Sequence, residues 1–391
     1  MRAHILFCAA AVCLTMCGCT NTVAGAAGKT HQVVGGVDSG ALDTGNFPTV
    51  VQPPFGHAGN VHDGSLLEAR RLASNVVPPF EVDASLSDSE MTRATPLQSA
   101  EALSFALPEP IPDGVSKHNF IIGFSAERMK MNRELTNIVL RFAAPEDAVA
   151  AAADMATKSA SVQTRYNGPK PTHPIPIPRH PQTAAAMYED NGRVNVFAYT
   201  PHGPYVLCQY ADGGEGVDVF TNMVATTIDL QVPLIDQFTP TPAEQIPDLP
   251  IDPTGLWART LPAEDTPSVD EGVYDSRAIL HFKSNGARSK KMYDSAGLQY
   301  VSISKDTVYQ TRDAAAASRL IQDLVADAGA NGIAAAGVRG LAAAKCFKPN
   351  DVASQTFYCI AQADKYVVEA TDDDPAVREK VAAQYLMLTA K

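Results

Sequence analysis

One order of elements is legible twice in this chain, and the repetition restricts the fold more tightly than composition does. Asn137 to Phe142 reads as a strand. Pro145-Glu146-Asp147 then opens an Ala-rich helix to Lys158, with proline at the first position and two acids where the helix dipole favours them. Arg193 to Tyr199 and Tyr205 to Tyr210 read as a hairpin joined through Thr200-Pro201-His202-Gly203-Pro204. Asn222 to Leu230 follows as a helix that ends towards Pro233. The last third repeats the set: a strand over Asp306 to Gln310, an Ala-rich helix over Asp313 to Ala326, a hairpin of Ala344 to Phe347 with Thr356 to Ala361, and a final helix from Ala376 to Thr389. A doubly wound parallel sheet needs strict strand–helix alternation, which this order lacks. The expectation is α+β: two related domains, each an antiparallel sheet with helices packed on one face and the other face open to a partner.

At 391 residues the chain is long enough for two cores. Seven prolines between 240 and 267 read as an interdomain linker. The expected divisions are an N-terminal domain over 41–239, a Pro-rich linker over 240–268 and a C-terminal domain over 269–391, each domain folding by itself. A core helix is expected from Ser65, with Glu68 completing a capping box and Leu66, Ala69, Ala73, Val76 and Val77 on one face before Pro78-Pro79 stops it. The first copy also carries an extended Pro-rich strip from Pro171 to Pro181, read as a stiff loop in preference to a docking strip.

Arg2 and His4 precede an apolar run from Ile5 to Met16, the pattern of an export signal. That run is 12 residues, well short of the roughly 20 a helix needs to span a bilayer. Gly18 before Cys19 suits a bacterial lipobox, where a small residue must precede the acylated thiol; Cys17 has Leu14-Thr15 upstream but bulky Met16 before it. Residues 1–18 are expected to be a signal peptide, Cys19 to carry a palmitate-type acyl anchor, and 19–40 to form a flexible tether rich in small residues. Plain secretion with cleavage near Ala24 to Ala27 is the alternative. The expected location is the extracytoplasmic face of the cell membrane. There the lipid supplies the attachment, since a net charge of −12 stands off an anionic bilayer. The same charge argues against nucleic acid as a partner.

Of seven cysteines, Cys208, Cys346 and Cys359 lie beyond the signal region. Outside the cytoplasm disulfides are favoured, and Cys346 and Cys359 flank the turn-forming Lys348-Pro349-Asn350-Asp351 between two strand-like runs. They are expected to form a disulfide across a hairpin, leaving Cys208 as a small buried hydrophobe in its apolar strand and not a nucleophile.

Candidate chemistry is sparse. Asp38-Ser39-Gly40 and Asp43-Thr44-Gly45 have the triplet of aspartic proteases, but that dyad needs one Asp from each of two lobes and these lie five residues apart in a Gly-rich segment. They read as turns. His57, His62 and Asp63 lack the i, i+4 helical spacing that makes two-His metal sites strong. Gly123-Phe124-Ser125-Ala126-Glu127 lacks the last Gly of a nucleophile elbow, so Ser125 is expected to be solvated. Gly213-Gly214-Glu215-Gly216 and the glycines from 329 to 340 lack phosphate-loop or dinucleotide spacing. Lys283, Arg288, Lys290 and Lys291 form a local basic patch, read as a charged hairpin end. No cofactor, metal or catalytic residue is expected.

The lipobox, Leu42-Asp43-Thr44-Gly45-Asn46-Phe47-Pro48-Thr49, Glu68-Ala69-Arg70-Arg71-Leu72-Ala73, and the run from Ile251 to Leu261 that contains Asp252-Pro253-Thr254-Gly255-Leu256-Trp257 give the chain its kinship. It resembles a family of uncharacterised actinobacterial, notably mycobacterial, two-domain lipoproteins. The resemblance implies a cell-envelope location and a two-domain α+β body, and it brings no catalytic residues. The expected function is non-catalytic binding of an envelope molecule or protein partner, through an interdomain cleft or a sheet face; the alternative is an envelope hydrolase with dispersed catalytic residues.

Overall fold

The computed structural model describes residues 33–34, 37–164, 167–263, 268–350 and 356–390. The expected signal peptide and Cys19 lie outside the described residues. In the first half, helix α1 (Val61–Leu72) precedes strands β1 (Met91–Leu97), β2 (Phe120–Lys130) and β3 (Arg133–Phe142). Helix α2 (Pro145–Lys158), strands β4 (His173–Pro174), β5 (Ala184–Asp190), β6 (Arg193–His202) and β7 (Tyr205–Gly213), and helix α3 (Val217–Ile235) complete it. The second half runs β8 (Gly272–Asp275), α4 (Gly286–Ala296), β9 (Leu298–Ile303), β10 (Thr307–Thr311) and α5 (Ala314–Asn331). It continues through β11 (Gly332–Ala335), β12 (Lys345–Pro349), β13 (Thr356–Ala363), β14 (Tyr366–Asp373) and α6 (Ala376–Thr389).

These strands make two seven-stranded sheets, ordered β1-β2-β3-β7-β6-β5-β4 and β8-β9-β10-β14-β13-β12-β11. Every pairing in them is antiparallel. The two orders correspond position by position, and a helix follows the third and the seventh strand of each, so the repeated order in the sequence is a repeated topology. The fold is α+β, and one element of the expectation needs correcting: the helices divide between the faces. On β6, Phe197 and Tyr199 pack with Ile138 and Cys208 against Ala148, Ala151 and Met155 of α2. The alternate residues Val194, Val196 and Ala198 meet Phe220, Val224 and Ile228 of α3. Side chains of a strand alternate between faces, so a strand apolar at both parities must be covered twice. The second sheet repeats this: Tyr309, Ile360 and Val367 face α5, whereas Val308, Cys359, Ala361 and Val368 face α6.

Several helix boundaries differ from the sequence reading, among them the start of α3 at Val217 in place of Asn222 and the end of α5 at Asn331 in place of Ala326. Helix α1 begins at Val61, because the Asn60 side chain accepts from the Asp63 amide at 2.9 Å. Ser65 is therefore a buried residue of the helix interior and Glu68 is no capping partner. Helix α3 continues through Pro233 to Ile235. The Pro-rich strip contributes β4, which pairs with Met187 and Ala186 at the sheet edge, where a missing N–H is tolerated.

The stretch read as a linker is packed. Residues Ala243–Asp248 form a 3-10 helix whose Ile246 is buried. A Cβ on Gly64 of α1 would lie 2.2 Å from the Ile246 carbonyl oxygen, so glycine permits that approach. The backbone amides of Ala58 and Gly59 donate to Leu249 and Pro247, at 2.9 and 2.8 Å. Upstream, residues 37–52 form a strap over the second half. Leu42 sits in the α6 cluster, Phe47 and Val51 pack beside Leu261, Ala383 and Met387, and the Gln52 amide donates to the Ala258 carbonyl at 2.9 Å.

A single apolar cluster joins the halves, holding Leu72, Phe80, Ile122 and Phe124 from the first and Tyr274, Ile279, Leu280 and Tyr293 from the second. Polar bridges cross the same boundary. Arg277 pairs with Glu81 through both its Nη atoms, at 3.1 and 2.8 Å. Arg128, on β2, sends its guanidinium to the carbonyls of Leu86, Leu280, Lys283 and Ser284.

His281 Nε2 lies 2.9 Å from the Ala73 carbonyl, which fixes its proton there, and Nδ1 has no hydrogen-bond partner among the described residues. Burial drives this imidazole down from 6.5 to about 3. The folded state thus holds it neutral while the unfolded chain takes a proton below about 6.5. Its contribution to stability is complete above that pH and is lost as the pH falls towards 3. Denaturation midpoints of His281→Gln should therefore fall less steeply than wild type between those pH values; parallel curves would refute the burial of a neutral ring.

Cys346 and Cys359 are direct cross-strand partners on β12 and β13 and form a disulfide. Peptide mapping without reductant should recover that pair linked. Replacing both by serine should cost about 3 kcal/mol by the loop-entropy account; a peptide joining Cys208 to either would overturn the pairing.

Candidate functional site

The residues singled out in the sequence do not converge. Asp38 accepts from the Gly40 amide at 2.9 Å and Asp43 from the Gly45 amide at 3.2 Å, each closing its own turn. The His57 backbone bridges to Pro250, His62 lies 3.4 Å from Gln98, and Asp63 accepts from the Asn60 side chain at 2.7 Å. Among the described residues no group of three or more His, Cys, Asp or Glu is placed to hold a metal ion. Ser125 was expected in solvent and is instead buried within β2, between Thr95 and Ile138 of the flanking strands. Cys208 is a free, fully buried thiol, and burial pushes its ionisation up, away from nucleophilic use. Gly213 to Gly216 link β7 to α3. The basic patch is largely neutralised: Lys283 donates to the Tyr309 hydroxyl at 2.5 Å beside Glu369, Arg288 pairs with Asp327, and Lys290 pairs with Asp294. Three His–Asp pairs, His118–Asp154, His180–Asp229 and His202–Asp236, sit apart from one another, and no serine or cysteine among the described residues is bonded to their rings.

Two concavities carry concentrated side chains. The first lies between the halves and has a volume of about 500 Å³. One wall is the Leu67–Arg71 face of α1 with the turn after it, another is Leu249 to Thr254 of the Pro-rich stretch, and the third is Val273, Tyr274 and Tyr300 on β8 and β9. Arg70 is pinned in the wall: it donates to the Val269 carbonyl at 3.1 Å, and its guanidinium sits 5.6 Å from the ring of Trp257, the one tryptophan of the chain. Burial lowers its ionisation, opposed by Tyr274, Asp270 and Glu271. Gly272 makes room for it, since a Cβ there would meet Nη1 at 2.9 Å, at a φ of +151°. Asp275 is saturated by the Ser74 hydroxyl at 2.5 Å and by the amides of Arg277 and Ala278. No nucleophile or base stands free in this cleft among the described residues; its walls can bind.

The second is a groove of about 700 Å³ on the first sheet, lined by Tyr188, Asp190, Asn195, Tyr210 and Asp212. The Tyr210 hydroxyl shares its one proton between Asn195 Oδ1 at 2.8 Å and Asp212 Oδ2 at 3.1 Å, and Arg193 pairs with Asp212. Nearby on β3, burial and the charge of Glu127 raise the Glu134 carboxyl to about 7. Glu127 is itself raised by burial, against the opposing effect of Arg93 at 3.0 Å.

Glu134 and Tyr274 carry no local motif, and the run Glu68-Ala69-Arg70-Arg71 marks kinship without marking a cleft. Together, fold and cleft define a two-domain α+β protein whose halves share one sheet topology, with a ligand-sized space between them. The sequence matches the N-terminal domain of unknown function DUF7373 over residues 55–251 and the C-terminal domain of the same family over residues 256–391. The chain belongs to this family. No curated protein matches it. Among solved structures it is similar to the extracellular domain of PknH from Mycobacterium tuberculosis. That likeness is 13% identical with a TM-score of 0.30, over 43% of this chain and 96% of that one. No described helix is long and apolar enough to cross a membrane.

Proposed function

We propose that this is an extracytoplasmic lipoprotein of actinobacterial type, anchored through an acyl group on Cys19, that binds an envelope molecule in the interdomain cleft without turning it over. The observation that carries the reading is the cleft: both halves wall it, its volume of about 500 Å³ suits a small molecule, and its Ser74 and Asp275 side chains are bonded to each other. The short apolar run and Gly18-Cys19 support the anchor. Cys19→Ser should release the protein from membranes, and lipid labelling retained on that variant would refute the attachment point. Native mass spectrometry of protein purified from its own envelope should find an added small-molecule mass that the cleft-filling Leu67→Trp loses. Equal retention by both proteins would sink the cleft as the site.

A hydrolase reading draws on one observation, the Glu134 carboxyl near neutrality beside Glu127. It requires that the co-purified molecule be consumed by wild type and spared by Glu134→Gln; an unchanged ligand removes it.

A further inference from the structure

We infer that the cleft takes a single-chain amphiphile with an anionic head, its chain along Leu67, Phe238, Leu249, Ile251 and Val273 and its head at Arg71. The inference rests on the cleft reading above and names the ligand class. Within the cleft an occupant meets mainly carbon. Ser74 and Asp275 are bonded to each other at 2.5 Å, Asn75 donates to the Leu234 carbonyl at 2.9 Å, and the Tyr274 hydroxyl donates to the Asp270 carbonyl at 2.9 Å. A polar chain would lose its water there and gain little in return, whereas an apolar one gains by burial.

The mouth differs. Arg71, with 46% of its side chain exposed, lines both the cleft and the shallow groove of about 460 Å³ that adjoins it around Thr239 to Pro242. Its Nη1 is held by Glu68 and by the Thr241 hydroxyl, and Nη2 donates once, to the Thr239 carbonyl at 3.3 Å. Nε and the other Nη2 hydrogen have no partner among the described residues, which leaves donors for a carboxylate or phosphate head. Glu68 does not cancel the charge. Fully buried, it also accepts from Arg141 at 3.2 Å and from the Thr241 amide at 2.7 Å, so one carboxylate faces two guanidinium groups. The opposing charges at the mouth are exposed Asp248 and the saturated Asp275. The net charge of −12 disfavours anions at a distance, but screening over about 8 Å at physiological salt confines that effect, and the contacts at Arg71 decide.

Calorimetry on the full chain with dodecanoate and 1-dodecanol tests this. Wild type should bind dodecanoate about tenfold more tightly than dodecanol, the effect of one charge-assisted contact. Arg71→Gln should erase that preference by weakening dodecanoate more than dodecanol, Arg71→Lys should keep part of it, and Leu67→Trp should abolish binding of both. Equal wild-type affinities would overturn the anionic head while leaving the cleft intact. Binding of both ligands unchanged in Leu67→Trp would overturn the cleft reading itself. Failure of wild type to bind either ligand would overturn the amphiphile, with the native mass measurement then judging the cleft alone.

Discussion

Arg128→Met is expected to destabilise the protein by about 4 kcal/mol, seen as a lower denaturant midpoint at unchanged slope. Arg128 is 1% exposed on β2, with its guanidinium 5.0 Å from the Phe80 ring. Its charge has no carboxylate partner among the described residues; it is held by four carbonyl oxygens, three of them from the second half. Burial lowers its ionisation to about 10, so it remains charged at neutral pH. Methionine fills much of the same space but leaves the carbonyls unanswered, at about 1–3 kcal/mol for each acceptor that water cannot reach. Relief of the buried charge offsets part of that loss. Arg128→Lys should fall between, since an ammonium cannot reach all four oxygens at once. A loss below about 1 kcal/mol for Arg128→Met would show that water enters this boundary and that the halves are not joined as described.

Separated fragments 41–247 and 248–391 are expected not to fold, although the sequence reads as two self-sufficient domains. Cutting there re-exposes Leu72, Phe80, Ile122 and Phe124 on one side and Ile279, Leu280 and Tyr293 on the other. Each large apolar side chain returned to water costs about 1.5–3 kcal/mol, so four of them approach the whole stability of a typical domain, about 5–15 kcal/mol. Near-ultraviolet circular dichroism should show no fixed aromatic packing in either fragment, while the intact chain should unfold in one transition. Two cooperative fragments, or two resolved transitions in the intact chain, would refute a shared core.

What the sequence shows follows from how local each cause is. Helices 145–158 and 376–389 match the sequence reading at both ends; the first is opened by proline and two acids, signals within a few residues of the boundary. Cys346 and Cys359 are readable because a hairpin brings near neighbours face to face. The start of α1 is misread because Ser65 and Glu68 mimic a capping box, while Asn60 supplies the cap five residues before the expected start at Ser65. The split of helices between sheet faces is hidden by strands that are apolar at both parities, which look alike whether one or two layers cover them. The cleft is least legible of all. Arg128 meets Ser284 across 156 residues and Arg70 meets Val269 across 199; each stands among other charges, beside Glu127 and Lys130 or beside Glu68 and Arg71, and reads as a surface residue until the chain closes.

The strap of residues 37–52 has a consequence for the order of events in biogenesis. Its seat is built from Leu261 and from Ala383 and Met387 near the last turns of the chain. A chain made from its N-terminus therefore presents the strap first and the seat last. Contacts spanning that much sequence must wait for nearly every residue to emerge. Until α6 has been made the strap has nothing to dock upon, so final closure waits for the end of synthesis, and a chain stalled before α6 would leave its leading end open to proteolysis.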